Sequence, residues 1–322
     1  MTRAVADGRE LAGRLRRRDV TVAPAVLNLL ESRTDDAREQ ARALLRAVAP
    51  AELGAEAGGH VVGITGPPGV GKSSLLSRLI AEWRAHQRSV AVLAVDPTSR
   101  RSGGALLGDR ARIDVDPADR DLFIRSNAAG NRLGGLAPAT RAGAAALAAA
   151  FDVVVIETVG VGQSETEVAD VADTVAVIVQ PASGDILQFL KAGIMEIPDV
   201  LVVTKADLGR IASRAVIDLE SALRALGSAD TPVLAVSSAS PPSGIAELVA
   251  ALDRHRAGLD LSQRRLQSRR LHALADFVAE YGEHGLRSLG GRREAERWLA
   301  EQEPGLDVPT LADALERRAE GA

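Results

Sequence analysis

The chain has no cysteine among its 322 residues, which excludes disulfides, thiolate metal sites and cysteine nucleophiles together. Aromatic residues make up only 2%, too few for the stacking platforms that hold single-stranded nucleic acid. There is no basic excess: the formal net charge is -4 and the pI is near 5.8. The arginine runs at 16–18, 264–265 and 269–270 lie among acids, as solvated helix faces or ion-pairing surfaces do. No nucleic-acid partner is expected. No apolar run reaches a bilayer span, and the most apolar stretch, 142–156, is alanine-rich and broken by Asp152. The first 19 residues carry charges throughout, without the apolar centre of a secretion signal. The expectation is a cytoplasmic protein with no membrane association. Five histidines show no ligand spacing with carboxylates, so a transition-metal site lacks support. Lysine is scarce too: Lys72, Lys191 and Lys205 are the only lysines among 39 cationic residues.

What is present is a soluble globular composition, 46% hydrophobic and 25% charged. Residues 7–48 space Leu, Val and Ala at helical intervals among arginines and acids, and a small, glycine-rich stretch then ends at Gly58-Gly59. Short β-branched runs follow at 60–65, 89–95, 122–125, 152–157, 174–179, 200–204 and 232–237, separated by longer helical stretches. Several, such as Val153-Val154-Val155-Ile156, are apolar without alternation, the pattern of strands covered on both faces. Together with a G-x-x-x-x-G-K-[ST] loop at 66–73, which follows the first of these runs, the spacing predicts an α/β fold, a P-loop NTPase with a mostly parallel sheet covered by helices on both faces. After 258 the strands stop, and 263–281 and 292–302 read as helices. The expected organisation is an N-terminal helical extension (1–55), a P-loop domain (56–258) and a C-terminal helical segment (259–322).

Gly66-Pro67-Pro68-Gly69-Val70-Gly71-Lys72-Ser73 fits G-x-x-x-x-G-K-[ST] at every fixed position, between an apolar strand and the helical run 74–82. Glycines let backbone N–H groups face phosphates, Lys72 reaches the β and γ phosphates, and the Ser73 hydroxyl ligates Mg²⁺. Two of the three lysines fall in nucleotide motifs, where a compact point charge matters. The second is Thr204-Lys205-Ala206-Asp207, after a buried strand. Asp207 there can accept from guanine N1–H and the 2-amino group, a pairing adenine cannot supply. Glu157-Thr158-Val159-Gly160 ends a strand where a nucleotide switch carries an acid for Mg²⁺ water and a glycine N–H for the γ-phosphate. Gln163 follows, a polar residue able to orient water, while Val161 holds the place directly after Gly160. Ser164 also suits a helix N-cap into 165–172. Asp96 and Asp109 are carboxylates suited to Mg²⁺ near the phosphates.

Taken together, GPPGVGKSS, VDPTS, GGALLGDR, NRLGGLA, IETVGVGQSE, LQFLKAGIMEIPD and TKADL resemble the MeaB/ArgK family of P-loop GTPases, over about residues 7–290. The resemblance implies a homodimeric GTPase, acting with GTP/GDP and Mg²⁺, that chaperones an adenosylcobalamin-dependent acyl-CoA mutase. It would gate cofactor loading and remove damaged cofactor, and the mutase would stimulate hydrolysis. Carried over by position, Gly66, Pro67, Pro68, Gly69, Val70, Gly71, Lys72, Ser73 and Ser74 hold phosphates, with Gly160 at the γ-phosphate. Ser73, Asp96, Asp109 and Glu157 surround Mg²⁺; Lys72, Asp96, Glu157 and Gln163 serve catalysis. Asp207 with Lys205 reads guanine, and Ser238, Ala239 and Ser240 close over the base. Residues 184–191 align with the mobile loop that signals to the mutase, and the C-terminal helices match a dimerisation arm.

Two departures stand out. Thr204 replaces the family's common Asn, which calls a supporting hydrogen bond into question. Ile186 and Phe189 replace a charge and a glycine in the mobile loop, which admits a relative of methylmalonyl-CoA mutase, isobutyryl-type or hydroxyacyl-type, as partner. Two other readings stay open: a P-loop kinase with the C-terminal helices as a lid, and a nickel-inserting GTPase, the latter opposed by the absence of cysteine and of clustered histidines.

Overall fold

The computed structural model describes residues 5–96, 113–128, 136–158, 167–181 and 198–321, with backbone only at 96, 127 and 128. Four helices come first: α1 Gly8–Arg16, α2 Ala23–Glu31, α3 Asp35–Ala47 and α4 Pro50–Leu53. The alternating region follows as β1 His60–Thr65, α5 Lys72–Ala85, β2 Val90–Asp96, β3 Leu122–Ala128, α6 Pro138–Leu147 and β4 Val153–Thr158. It continues as β5 Thr174–Val179, β6 Val200–Val203, α7 Arg210–Ala225, β7 Val233–Ala235 and α8 Ile245–Gly258. The last helices are α9 Leu261–Ser288, α10 Arg292–Ala300 and α11 Val308–Glu320.

The seven strands form one sheet in the order β3-β2-β4-β1-β5-β6-β7, and every pairing is parallel. The apolar runs explain this directly. Every residue of β1, β4, β5 and β6 is buried, as parallel strands covered on both faces must be. Against them pack Leu75, Leu76, Leu79 and Trp83 of α5 with Leu248 and Leu252 of α8. Parallel strands share one C-terminal edge, so the loops leaving β1, β4, β6 and β7 gather there.

The opposite edge is pinned by aspartates placed just before their strands. Asp152 Oδ2 accepts from Ser89 N, Asp173 Oδ2 from Val61 N and Asp199 Oδ2 from Val175 N, each at 2.8 Å. Each carboxylate therefore satisfies a backbone donor beside the start of the neighbouring strand. Beside them His60 Nε2 and Thr174 Oγ1 share a hydrogen bond (2.8 Å), and Thr174 Oγ1 lies 2.9 Å from His255 Nδ1.

The chain divides into two compact units. One comprises Gly59–Ala144 and Phe151–Leu259; the other comprises Met1–Gly58, Ala145–Ala150 and Asp260–Ala322. In the second, Leu274 and Phe277 of α9 pack with Leu299 of α10 and with Leu311 and Leu315 of α11. Arg42 of α3 pairs with Asp313 of α11 at 2.9 Å. Arg269 of α9 grips both carboxylate oxygens of Glu56 (3.0 and 2.8 Å) and also donates to Pro304 O. The helices read from the sequence stop at 302, whereas a further helix, α11, begins at Val308 after Asp307, whose carboxylate caps Thr310 N, with Pro309 in the first turn. The α9 helix reaches seven residues beyond the expected end at 281, through a non-helical Gly282 (φ 62°, ψ -162°). No helix of the described residues is long and apolar enough to cross a membrane.

Candidate functional site

The site is built on the C-terminal edge of the sheet, from β1 outward. Chain reversal after Thr65 puts Gly66 at φ 147° with Ile178 O so close that an added Cβ would lie 2.2 Å from it. Only glycine fits there. The loop closes at Gly71 (φ 97°), the N-cap of α5, so the helix begins at Lys72 with its first N–H groups directed into the loop. Lys72 is 7% exposed, and its Nζ donates to Gly66 O (2.8 Å) and Pro67 O (3.0 Å). The ammonium is thereby held against two carbonyls of a glycine-rich loop at a helix N-terminus, an arrangement that receives polyphosphate. Val70 is buried; Ser73 is half-buried, and Ser74 is exposed.

Glu157 stands at the end of β4, in register with Ile64 of β1 and Ala94 of β2. It is 2% exposed and its Oε1 accepts from Ser73 Oγ at 3.4 Å. A hydroxyl and a carboxylate converging beside a phosphate loop form a hard-oxygen donor set suited to Mg²⁺. Asp96 ends β2, the strand next to β4. Asp109, Gly160, Gln163 and the segment 184–191 lie outside the described residues, as do 165 and 166; of the helix expected over 165–172, Glu167 alone is helical among the described residues, and 168–171 form a turn instead.

Two strands further along, β6 delivers the second half of the site. Lys205 takes a left-handed backbone (φ 57°) and donates its Nζ to Gln180 Oε1, at the end of β5. The chain then makes a short turn that carries Asp207 into solvent, where Oδ1 accepts from Ser237 Oγ at 2.6 Å. Ser237 Oγ also accepts from Ala239 N, while its own N–H and C=O pair with Ser243. These bonds close the loop 237–243 that holds Ser238, Ala239 and Ser240. From α5, Arg78 Nε reaches across to donate to Ser238 O at 3.1 Å.

Thr204 answers the question raised by its replacement of Asn. Its buried Oγ1 lies 2.7 Å from Val70 O and 3.1 Å from Val179 O, so the hydroxyl proton supports the phosphate loop from beneath. The supporting bond is made by threonine. The roles of Ser237 and Arg78 were missed in the sequence. Three serines, at 237, 238 and 240, crowd this turn, and only strand register decides which faces Asp207. Arg78 looked like one more helix arginine, because its acceptor is 160 residues away.

Comparison with known proteins follows this geometry. Residues 23–285 match the family model described as methylmalonyl-CoA mutase-associated GTPase MeaB. A Pyrococcus abyssi protein named as a GTPase is 41% identical over 268 residues, covering 81% of this chain and 80% of that one. A Caenorhabditis elegans protein, the mitochondrial homolog of methylmalonic aciduria type A, is 41% identical over 191 residues, or 57% of this chain and 48% of that one. Among solved structures, one described as a LAO/AO transport system kinase aligns at TM-score 0.65 and 27% identity, covering 94% of this chain and 99% of that chain. A family match of this extent, carried by a P-loop on an all-parallel sheet, settles the assignment: the chain belongs to the MeaB family of GTPases.

Proposed function

We propose that this GTPase is a switch that gates cofactor loading onto an adenosylcobalamin-dependent acyl-CoA mutase, methylmalonyl-CoA mutase or a close relative, and protects or reactivates that enzyme. The observation that carries the reading is the pairing of Lys72 over the phosphate loop with Asp207 fixed by Ser237, on one edge of one sheet, within a family described by its association with that mutase. The kinship with a methylmalonic aciduria type A homolog points the same way.

In this reading the phosphate loop and the Lys72 ammonium bind the β and γ phosphates and stabilise charge as water attacks in line. Ser73, Asp96, Asp109 and Glu157 hold Mg²⁺, which neutralises charge on the phosphates when bound. Gly160 meets the γ-phosphate and Gln163 orients water. Asp207 selects guanine because a carboxylate matched to N1–H and a 2-amino group is left unpaired by adenine. The nucleotide state is signalled to the mutase through residues 184–191. The C-terminal helices pair two copies of the chain.

Purified protein alone should turn GTP over slowly, since Val161 offers no polar group directly after Gly160, and addition of the partner mutase should accelerate it. Two measurements test this: steady-state phosphate release with and without mutase, and partner capture from native extract with a non-hydrolysable GTP analogue. Fast unaided turnover, or capture that contains no cobalamin enzyme, would overturn the chaperone reading. A kinase reading predicts instead transfer of the γ-phosphoryl group to an acceptor other than water, read in the same assay as label retained on protein or metabolite.

A further inference from the structure

The phosphate and base halves of the site stand on different strands, and a single helix touches both. α5 leaves the phosphate loop directly, and in its second turn two successive side chains reach out. Ser77 Oγ donates to Ser73 O (3.0 Å) and accepts from Asp114 N (3.0 Å). Arg78 Nε donates to Ser238 O at 3.1 Å, the carbonyl at the head of the loop 237–243. Arg78 is half-buried, and α5 packs beside α8, which begins directly after that loop.

We infer that Arg78 is a positioning residue that sets the distance between the phosphate loop and the base loop, and so determines how tightly a whole guanine nucleotide binds relative to its phosphate part. The inference rests on the reading of Asp207 as the guanine contact. Its logic is that of a rigid bivalent receptor. Two half-sites held at the right separation bind a ligand that spans them better than two half-sites free to drift, because the ordering cost is met before binding. Arg78 donates from a guanidinium, a charge-assisted and therefore stronger bond, to a main-chain acceptor that moves with residues 237–240. Those residues also carry the Ser237 hydroxyl that fixes Asp207, so slack at Ser238 reaches the base-reading carboxylate within one residue. The phosphate loop itself has other supports, in Thr204 Oγ1 at Val70 O and Lys72 at Gly66 O. Loss of Arg78 therefore loosens the base half and leaves the phosphate half in place.

The test measures equilibrium binding of GDP and of inorganic tripolyphosphate, each with Mg²⁺, to the full chain and to Arg78→Met, which keeps an apolar stem but no donor, and Arg78→Lys, which restores one. The expected result is that Arg78→Met weakens GDP binding about 5- to 10-fold, less than the full worth of a charge-assisted hydrogen bond because the site is half-buried and the bond acts on the ligand through the loop. Tripolyphosphate affinity should stay within twofold, and Arg78→Lys should recover part of the GDP loss. Equal loss for both ligands would make Arg78 a support of α5 alone and overturn the inference, as would no loss for either. A parallel arm with Asp207→Asn compares GDP with ADP. If that variant keeps the full preference for GDP, the guanine reading and the Arg78 inference fall together, whereas failure of the Arg78 arm alone leaves the guanine reading standing.

Discussion

At the scale of single residues, the site depends on groups whose partners lie far away in sequence. Thr204 is the clearest case: one hydroxyl, 134 residues from Val70, ties the strand that carries Asp207 to the loop that carries Lys72. Replacing it with valine keeps the shape but takes the donor from the Val70 carbonyl, and a buried acceptor left bare costs about 1–3 kcal/mol. Thr204→Val should lower the unfolding free energy by an amount in that range, read as a lower urea midpoint, and weaken GDP binding, while Thr204→Ser should retain both; an unchanged midpoint in the valine variant would show that the hydroxyl carries no load. The sequence made the phosphate loop legible because its chemistry is local: glycines, a lysine and a serine at fixed spacing perform their roles within eight residues. Thr204, Ser237 and Arg78 were not legible in the same way. Their roles depend on the register of β6 and β7 and on how α5 lies beside the loop after β7, and spacing along the chain encodes neither.

At the scale of elements, the strands were the easier part. β1 and β5 fall where the apolar runs place them, at His60–Thr65 and Thr174–Val179, because continuous β-branched runs admit few alternatives when both faces are covered. β7 is shorter than its run of 232–237, since Ser237 leaves the sheet to pair with Ser243. α11 carries signals of its own, the Asp307 cap, Pro309 in the first turn and an apolar face of Val308, Leu311, Ala312 and Leu315, and a reading of the sequence that ends at 302 passes over them. One element-level consequence concerns pH. At the start of β1, burial pulls His60 below the usual histidine range, against the opposing pull of Asp253 and Asp173 and with Arg256 reinforcing it. Around it stand Thr174 of β5, His255 and Asp253 of α8, Asp199 before β6, and Arg88, which meets both oxygens of Asp253 at 3.0 Å. The unfolded chain, with a histidine near 6.5, binds this proton more readily than the folded one. Stability from neutral His60 is thus complete above about pH 6.5 and declines as pH falls below it. Asp253, held below the carboxylate range by His60 and Arg88, adds a further loss only at much lower pH. Urea unfolding at pH 7.5 and 5.5 should show a lower midpoint at 5.5, and His60→Gln should reduce that difference; an unreduced difference would place the sensitive group elsewhere.

At the scale of the whole molecule, segments from both ends of the chain form one compact unit. Glu56 comes just before the β1 region and Arg269 lies 213 residues later, yet their side chains are only 10% and 14% exposed and doubly bonded. Removing one member of such a pair strands the other charge, at about 3–5 kcal/mol for full burial and less at this partial exposure. Glu56→Ala should therefore lower the thermal midpoint of the full chain by several degrees, and by more than Glu296→Ala, which breaks the exposed Arg292–Glu296 pair of α10 (3.7 Å); equal shifts would reduce the bridge to a surface contact. Charge patterning alone leaves Arg269 between a solvated helix face and an ion-pairing surface, and only folding brings Glu56 to it. The three aspartates along the foot of the sheet have a different consequence. Strands are stiff, and a six-residue strand such as β1 spans about 20 Å. With their starts pinned by Asp152, Asp173 and Asp199, neighbouring strands must finish at fixed heights relative to one another. The sheet then acts as a gauge whose zero mark is acidic and whose far end sets the relative heights of the loops that carry Lys72 and Asp207.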